Sequence, residues 1–493
     1  MRPSFTCLAI VADRVDRFRW AYCQLDNLRR CMSSSIRKAL DELPTTLDET
    51  YERTLEGIPK QKWQHAHRLF QCMVAAMRPL SVEELGEIFA IEFGPNAAFT
   101  LMEGWRPENA EDAVLSACST LITIVDDQGS KIVQFSHFSV KEFLTSYRLE
   151  TSVVRNICRF HIPLEPAHTT LARACLTVLL QMDENIDKKR LATFPMALYA
   201  ALHWVDHAQF GNVASEIEDG MQNLFNPKKP HFLAWVWIVG IGRDSKGLEF
   251  ISSEHPLPRS TTPLHYVVFY GFSRLAKHLI TTHGEDVNAY TAVFGSPLQA
   301  ASAGGHVGVA RVLLDHGADG NGTDPGGSPL CSAYRGRYLK VMQLLLEHGA
   351  DVEDRRGFTF GTALHDASFH GQLEIVDLLL QYKADVNARS KFNQDLVQSL
   401  LDLGHHEVAR FLLKHGVDIY GQYDFADRPL LTAADDGFVE FMRLLRKHGE
   451  DMHIREFDDQ TPFQIATENG HHEIAQLLLE HGSERESFFI QGY

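Results

Sequence analysis

The chain has 493 residues, of which 44% are hydrophobic and 23% are charged, and these proportions are those of a folded globular protein rather than a disordered one. Its formal net charge of −17 argues against a protein that binds nucleic-acid phosphates by general charge attraction. Its eight cysteines include no C-x-x-C pair, so their spacing favours neither a zinc site nor a disulfide framework and suits a reducing compartment.

Apolar segments in the chain are short. The longest, residues 232–242, is well below the roughly 20 residues that a membrane-spanning helix needs. The apolar run at residues 7–12 is interrupted by Asp13 and is too short for a convincing signal peptide. We therefore expect a cytoplasmic protein without a membrane partner, with the nucleus as the alternative location.

Helical patterns dominate the first half of the chain, where no short repeat period is found. Apolar residues recur with helical spacing over residues 18–31, 35–43, 47–55 and 63–77. Ser81 followed by Glu84 predicts a capping box that begins a further helix.

A helix and then a hairpin are predicted next. After a helix near residues 110–119, alternating apolar and polar residues at 121–125 and 131–135 flank a turn at 126–129. Helices followed by a hairpin in this order indicate a winged-helix domain. We place this domain at residues 61–150, between a helical segment at 1–60 and a helical connector at 151–257.

Two short motifs recur in the second half with a common period. His-Gly pairs begin at His283, His316, His348, His415, His448 and His481, and Tyr382-Lys383 stands where the period predicts another pair. The second motif opens a unit with residues of the type Thr-Pro-Leu-His, as at 262–265, and in most units a glycine follows nine residues later. A period of about 33 residues with this opening is the signature of ankyrin repeats. We therefore predict seven ankyrin repeats over residues 258–489, with a tail at 490–493.

Each recurring residue has a local physical reason. Thr or Ser at the opening caps the first helix, and Pro fits its first turn because that position needs no N–H. The later glycine permits the left-handed backbone that ends this helix. The histidine of each His-Gly pair is expected in the last turn of the second helix, where the negative end of the helix dipole stabilises it. Because these histidines occur once per unit and not in a cluster, we predict no metal site.

Two units depart from the pattern. The fourth has Lys383 where glycine would relieve backbone strain, at a cost of order 1 kcal/mol. The fifth begins without proline, but Asp395 can still cap its first helix. Both keep the apolar pattern of the second helix, so we expect packing on neighbouring repeats to hold them in the array.

Longer strings resemble a known family. Residues 18–20, 23–31 and 43–53 are similar to the segment that follows the nucleotide-binding domain in fungal NACHT–ankyrin proteins. Residues 78–80 and 135–144 resemble the winged-helix module that is labelled after a GPI inositol-deacylase, and residues 199–208 and 230–232 resemble the helical connector. The resemblance implies a mainly all-α protein with a small β-hairpin, whose ankyrin solenoid is the sensor or scaffold arm in signalling and non-self recognition.

The nucleotide-binding domain of that family has no counterpart in the sequence. A P-loop needs G-x-x-x-x-G-K-[ST], and residues 240–247 hold the nearest glycine-lysine cluster in the wrong order. We therefore predict no cofactor, and expect that the chain begins where the nucleotide-binding domain of the family ends. The alternative interpretation is a fragment of a signalling ATPase whose P-loop domain lies upstream.

Enzymatic and DNA-binding interpretations are also weak. The chain has no G-x-S-x-G elbow, and His137, beside Ser136 and Ser139, is predicted to be structural rather than half of a catalytic dyad. The candidate recognition helix of the winged-helix domain, residues 108–119, carries acidic residues and no Lys or Arg, so phosphates would repel it. We predict a non-enzymatic protein that binds proteins and not nucleic acids.

The predicted partner-binding positions are exposed side chains of the ankyrin repeats. Stacked repeats offer an extended concave surface, lined by loop tips and by the last turn of each first helix. Resemblance to the family places these positions three and four residues before each opening and seven and eight residues after its first residue. The loop-tip candidates are Phe358, Phe392, Phe425 and Phe457, and the helical candidates are Phe269, Tyr270, Arg335, Phe369, His370, Asp402, Asp435, Asp436 and Glu468. The alternative is that some of the aromatic tips fold back into the core.

Acidic residues are in excess in the repeats. From Pro258 onward, 20 Lys and Arg residues stand against 32 Asp and Glu residues. We expect a groove that is aromatic in its first half and acidic toward its end, suited to a partner segment with apolar anchors and Lys or Arg. On this prediction, Phe358→Ala combined with Phe392→Ala abolishes partner binding and leaves the fold intact.

Overall fold

A computed structural model describes most of the chain from residue 46 to residue 480. The described residues are 46–93, 99–118, 120–127, 129–151, 157–183, 185–244, 262–291, 293–322, 327–388, 390–391, 396, 399–400, 403–417, 429–447 and 460–480. They fall into two compact units, divided between Pro263 and Leu264. The helices predicted at 18–31 and 35–43 lie outside the described residues. Within the described ranges, no helix is long and apolar enough to cross a membrane.

From residue 46 to residue 151, the described part of the first unit is a helical domain that contains one small sheet. Its elements are α1 (Leu47–Glu56), α2 (Trp63–Ala75), β1 (Leu80–Ser81), α3 (Val82–Ile88), α4 (Ala110–Cys118), β2 (Ile122–Asp127), β3 (Ser130–Phe135), α5 (Phe138–Leu144) and α6 (Tyr147–Glu150). The strands are antiparallel in the order β1-β3-β2, with Leu80 paired to Val133 and Ile122 paired to Phe135. The sheet and the helices before it fit the predicted winged helix.

The sequence determines where α3 begins and how closely it packs on α4. The Ser81 hydroxyl accepts the Glu84 N–H at 3.1 Å, and the Glu84 carboxylate accepts the Ser81 N–H at 2.7 Å, so the predicted capping box is confirmed. A Cβ atom on Gly86 would lie 2.8 Å from the Cβ of Ala110. The missing side chain of Gly86 therefore lets the two helices approach each other.

A helical connector with an aromatic core completes the first unit. Its helices are α7 (Leu164–Leu179), α8 (Lys188–Leu191), α9 (Ala197–Ala208), α10 (Val213–Glu216), α11 (Glu218–Leu224) and α12 (His231–Asp244). The ring of Trp204 lies 5.8 Å from that of Trp235 and 5.9 Å from that of Phe225. Trp235 Nε1 donates to the carbonyl oxygen of Ala201 at 3.0 Å, which satisfies its only polar group inside this core.

Buried polar groups join the connector to the winged-helix domain. Glu87 of α3 is 2% exposed, and its carboxylate accepts hydrogen bonds from Arg106 Nη2 at 2.6 Å and from the Met196 N–H at 2.7 Å. The Tyr199 hydroxyl of α9 accepts the N–H of Met77 at 3.1 Å. Because a buried carboxylate is costly unless it is paired, these bonds fix the position of α9 against α3.

Two buried histidines extend this network. His207 Nε2 lies 2.9 Å from the Tyr199 hydroxyl, and His207 Nδ1 lies 2.9 Å from Nδ1 of His168. A neutral His207 ring satisfies both contacts, because one of its nitrogens donates a hydrogen bond and the other accepts one. Burial, and then the neighbouring His168, lowers the pKa of His207 to about 3, so its ring is neutral at pH 7.

The second unit is an array of short helix pairs. Its helices are α13 (Pro263–Phe269), α14 (Ser273–His278), α15 (Pro297–Ala303), α16 (Val307–Asp315), α17 (Pro329–Arg335), α18 (Leu339–Glu347), α19 (Ala363–Phe369), α20 (Leu373–Gln381), α21 (His406–Lys414), α22 (Pro429–Asp436), α23 (Val439–Lys447), α24 (Pro462–Glu468) and α25 (His472–Leu479). The opening of the fifth repeat, at Asp395, lies outside the described residues. The predicted class, mainly α-helical with one small sheet, is confirmed.

In the second, third, fourth and seventh repeats, the residue that opens the repeat caps its first helix, as predicted. The Ser296 hydroxyl accepts the Gln299 N–H at 3.3 Å, and Gln299 Oε1 accepts the Ser296 N–H at 2.8 Å. In the fourth repeat, His365 Nδ1 accepts the Thr362 N–H at 3.3 Å. The histidine of the Thr-Ala-Leu-His opening is therefore part of the cap.

In several repeats, the glycine nine residues after the opening has two functions. Gly437 has a φ of 81°, in the left-handed region, and a Cβ atom there would lie 2.6 Å from Nδ1 of His471 in the next repeat. Gly271 and His306 repeat the arrangement, with a φ of 84° and the same 2.6 Å distance. A side chain would therefore strain the backbone and clash with the next repeat, and the predicted left-handed turn is confirmed.

Histidines of the His-Gly pairs cap second helices. Nδ1 of His316, His348 and His415 donates to the carbonyl oxygen four residues earlier, at 2.7, 2.9 and 2.9 Å. Each bond satisfies a carbonyl group that the end of a helix leaves without an N–H partner. No group of three or more His, Cys, Asp or Glu residues in the described ranges is placed to hold a metal ion.

The second helix of the first repeat contains one extra residue. The step from Gly271 to His283 is one residue longer than the equivalent step from Gly305 to His316. The chain absorbs this residue as a π-helical turn at Leu279–His283, which follows α14 directly. The His-Gly pair therefore still ends the helix, with Gly284 in the left-handed region at a φ of 69°.

Replacing Lys383 by glycine is expected to stabilise the repeats. Lys383 has a φ of 63°, which strains a residue with a side chain, so Lys383→Gly should raise the free energy of unfolding by about 1 kcal/mol. The matched control is Gly349→Lys, because Gly349 has the same place in the preceding repeat and a φ of 82°. A Cβ atom on Gly349 would point into open space, with no other atom within 4 Å, so this control changes the strain without a clash.

The two substitutions should have opposite effects of similar size. Both can be measured by urea-dependent hydrogen exchange of the amides in α18 and α20. Destabilisation by Lys383→Gly would show that the lysine side chain makes contacts that outweigh its backbone strain.

Candidate protein-binding surface

The last turns of the first helices and the loop tips beside them define a surface that we call the first-helix face. First helices of adjacent repeats pack against each other, α15 against α17 and α22 against α24. The described members of the face are Phe269, Tyr270, Phe294, Arg335, Phe360, Phe369, His370, Asp435, Asp436 and Glu468. The face therefore runs through successive repeats.

Aromatic side chains form the first part of this face. Phe269 is 43% exposed, and its ring lies 5.4 Å from that of Phe294 and 5.2 Å from that of Tyr270. On the same loop as Phe294, Tyr290 is 53% exposed and Val293 is 70% exposed. The first two repeats therefore present several apolar side chains to solvent close together.

A second aromatic pair lies in the fourth repeat. The rings of Phe360 and Phe369 are stacked, with centroids 4.2 Å apart and planes inclined by 14°. His370 is exposed, and its Nδ1 donates to the carbonyl oxygen of Asp366 at 2.7 Å. In the third repeat, Arg335 is exposed and its Nη2 donates to the carbonyl oxygen of Gly357 at 2.8 Å.

The prediction of an exposed aromatic tip at Phe358 is wrong. This side chain is only 2% exposed, and its ring packs 5.5 Å from that of Tyr334. The loop turns because the Asp366 carboxylate accepts the N–H groups of Thr359 at 3.0 Å and Phe360 at 2.7 Å. Phe358 is thereby directed into the core, which is the alternative that the sequence left open.

Acidic side chains form the last part of the face. Asp435 and Asp436 end α22 and Glu468 ends α24, and all three are exposed. Asn469 Nδ2 donates to Asp435 Oδ1 at 2.6 Å, and Gln460 Nε2 donates to Glu468 Oε2 at 3.3 Å. These neighbours are neutral amides, so neither hydrogen bond places a cation beside the carboxylate.

Four predicted positions cannot be placed on this face. Phe392, Asp402, Phe425 and Phe457 lie outside the described residues. Conversely, the sequence interpretation missed Phe294 and Phe360, which stand two residues before an opening rather than three or four. Their shared position in two repeats is the signal that would have identified them.

In the winged-helix domain, the structure places His137 and the acidic candidate recognition helix as follows. His137 Nδ1 lies 2.6 Å from the Ser139 hydroxyl and accepts the Ser139 N–H at 3.3 Å, which makes it the cap of α5. The Ser139 hydroxyl also lies 2.9 Å from that of Tyr51. In α4, the Glu111 carboxylate forms an ion pair with Lys131 of the hairpin at 2.6 Å, so the acidic start of this helix lies beside a lysine.

Comparison with protein families identifies both parts of the chain. The family model for ankyrin repeats matches residues 264–356, 323–390 and 392–487, and the model for the GPI inositol-deacylase winged helix domain matches residues 51–154. The winged-helix match begins ten residues before the limit predicted at residue 61. Residues 51–154 are therefore similar to the winged helix domain of GPI inositol-deacylase, and the helix pairs of the second unit are ankyrin repeats. Ankyrin repeats indicate a scaffold for interactions with proteins.

Individual proteins are similar to parts of the chain. Azaphilone pigments biosynthesis cluster protein L of Monascus ruber is 31% identical over 296 residues, which cover 57% of this chain and 61% of that protein. The chain thus spans less than two thirds of this relative. The ankyrin repeat domain of human ASB11 is 27% identical, with a TM-score of 0.34, and the match covers 45% of this chain and 97% of the ASB11 chain. The ankyrin repeat domain of Bcl-3 is 24% identical, with a TM-score of 0.38, and the match covers 45% of this chain and 98% of the Bcl-3 chain.

Proposed function

We propose that the first-helix face binds a segment of a partner protein that carries apolar anchors followed by Lys or Arg residues. The observation that supports this proposal is the order of aromatic and acidic side chains along the face, in which Phe269 and the carboxylates are exposed and the other rings are half-buried. Phe269 and Phe294 come first, the stacked pair Phe360 and Phe369 follows, and the carboxylates come last, beginning with Asp435.

The two parts of the face would contribute differently to binding. Aromatic rings bury apolar area at a small cost in side-chain entropy, so the exposed ring of Phe269 and the half-buried ring of Phe369 are expected to supply most of the affinity. Asp435, Asp436 and Glu468 would attract Lys and Arg, and would mainly set the orientation of the segment and the rate of association. The proposed partner is therefore selected by the order of its apolar and basic residues.

Selection from a displayed library of short random peptides on the full chain tests this proposal. Enriched peptides are expected to carry aromatic or aliphatic residues and a Lys or Arg cluster in one consistent order. Phe269→Ala combined with Phe369→Ala should weaken the selected peptides about tenfold or more. Asp435→Lys combined with Asp436→Lys should weaken them in a salt-dependent manner.

A matched control changes the same number of charges away from the face. Asp315→Lys and Glu347→Lys alter exposed residues at the ends of second helices α16 and α18, and should leave peptide affinity unchanged. Enrichment of acidic peptides, or equal loss of affinity in the control, would contradict the proposed surface.

We further propose that the chain acts as a binding arm in fungal NACHT–ankyrin-type signalling, in the cytoplasm and without catalysing a reaction. The succession of the GPI inositol-deacylase-type winged helix and ankyrin repeats supports this role. The fungal relative is named for a pigment biosynthesis cluster, and its name states no activity. A transcript that encodes a P-loop domain upstream in the same reading frame would instead make the chain part of a signalling ATPase.

A further inference from the structure

An open cleft in the winged-helix domain is unrelated to the repeats. It has a volume of about 440 Å³ and lies between the start of α2, the end of α3, the segment before α4, and α4 itself. Clefts of roughly 300–1,000 Å³ are the usual size of small-molecule sites. The residues that line this cleft take no part in the helix caps or in the contacts with the connector described above.

Apolar and aromatic groups form the floor and walls of the cleft. Ala117 of α4 is 3% exposed and Phe89, at the end of α3, is 9% exposed. Trp105, on the short 3₁₀ turn Glu103–Trp105, is 56% exposed at the rim. The His65 ring lies 5.6 Å from that of Phe89, and burial, followed by nearby Arg68, lowers the pKa of His65. A neutral imidazole at pH 7 adds a third aromatic surface.

One ammonium group reaches the rim. Lys62 Nζ donates to the carbonyl oxygen of Ser116 on α4 at 3.2 Å, and it forms no ion pair with the described residues. The nearest acidic residues of α4 are already engaged, since Glu111 pairs with Lys131 and Asp112 accepts from Asn109 Nδ2 at 2.7 Å. The charge of Lys62 is therefore available to an anionic ligand that enters the cleft.

We propose that this cleft binds a planar aromatic small molecule that carries a carboxylate or another anionic oxygen. The flat apolar part would lie between Trp105 and the floor formed by Phe89 and Ala117, at the distances that aromatic pairs adopt. The anionic group would accept a charge-assisted hydrogen bond from Lys62 Nζ. Ala113, which also lines the cleft, leaves room for the ligand because its side chain is small.

Calorimetric titration of the full chain with 2-naphthoate tests the proposal. Saturable binding with one site and a dissociation constant on the order of 0.1–1 mM is expected for a ligand of this size. Trp105→Ala removes a wall and Ala113→Leu fills the cleft, and each should weaken binding by about tenfold or more. One variant makes the cleft larger and the other makes it smaller. Far-UV circular dichroism is used to check that each remains folded.

Two variants that each remove one lysine charge test whether the cleft binds the anionic group of the ligand. Lys62→Gln should weaken 2-naphthoate several-fold and leave neutral 2-naphthol unchanged. Lys60→Gln is the matched control, because Lys60 is exposed on the same turn and does not line the cleft. No saturable binding up to about 5 mM would overturn the proposal. The proposal would also be overturned if both Trp105→Ala and Ala113→Leu bound 2-naphthoate as tightly as the unmodified chain. The same holds if Lys62→Gln bound it as tightly.

Discussion

Replacing Phe358 by alanine is expected to lower the free energy of unfolding of the repeats by about 3 kcal/mol. The reason is that the ring is 2% exposed and packs on Tyr334, so truncation removes buried apolar area and leaves a cavity between the third and fourth repeats. Urea-dependent hydrogen exchange of the amides in α17 and α19 measures the effect. Any loss of partner binding in Phe358→Ala would then reflect damage to the fold.

Phe269→Ala is the matched control for this prediction. Phe269 is 43% exposed, so the same truncation should cost less than about 1 kcal/mol and should act on binding instead. Equal destabilisation by the two variants would contradict the difference in burial. Normal stability of Phe358→Ala would mean that Phe358 is exposed in solution and belongs to the first-helix face.

Acidification is expected to destabilise the first unit through its buried histidines. His207 has a pKa of about 3 in the folded chain and an ordinary value of 6.5, so below pH 6.5 the unfolded chain binds a proton that the folded chain does not. The stabilisation is complete above pH 6.5 and is lost as the pH falls toward 3. Between pH 7.5 and 5, His207 alone should lower the free energy of unfolding by about 2 kcal/mol.

Tryptophan fluorescence isolates this effect, because all six tryptophans precede residue 238 and none lies in the repeats. Urea unfolding followed through buried Trp204 and Trp235 at several pH values gives the slope. His207→Gln removes the titrating group and should flatten the slope in this pH range, where most carboxylates remain ionised. An unchanged slope in His207→Gln, or rising stability on acidification, would contradict the neutral histidine network.

Features with a local cause could be predicted from the sequence. Three such features depend only on a few neighbouring residues and on backbone geometry. They are the capping box at Ser81, left-handed glycines such as Gly437, and helix-ending histidines such as His316. The repeat period predicted the array for the same reason, since each unit must bury its apolar face on the next. Strain at Lys383 was also predictable, because a lysine stands where other repeats have glycine.

Side-chain direction in the loop tips could not be predicted in this way. Phe358 and Phe360 are two residues apart and equally apolar, yet one is buried and the other is stacked on Phe369. The choice depends on the Asp366 carboxylate, which lies on the following helix and accepts the N–H groups of the loop. A repeat period gives the position of a tip but not the hydrogen bonds that orient it.

Contacts between distant segments were likewise outside the reach of the sequence. The network of Tyr199, His207 and His168 joins residues of α7 and α9, and Met77 contributes an N–H from beyond the end of α2. The winged-helix cleft is formed by four separate segments, none of which has a recognisable motif. Both features depend on tertiary packing, which has no periodic signal in the chain.

Amide hydrogen exchange with and without a selected peptide tests most directly whether the first-helix face is the binding surface. Binding at this face predicts slower exchange in α13, α19 and α22, which carry Phe269, Phe369 and Asp435, and unchanged exchange in α16, α18 and α20. Protection confined to those second helices, or to the winged-helix domain, would contradict the proposed surface.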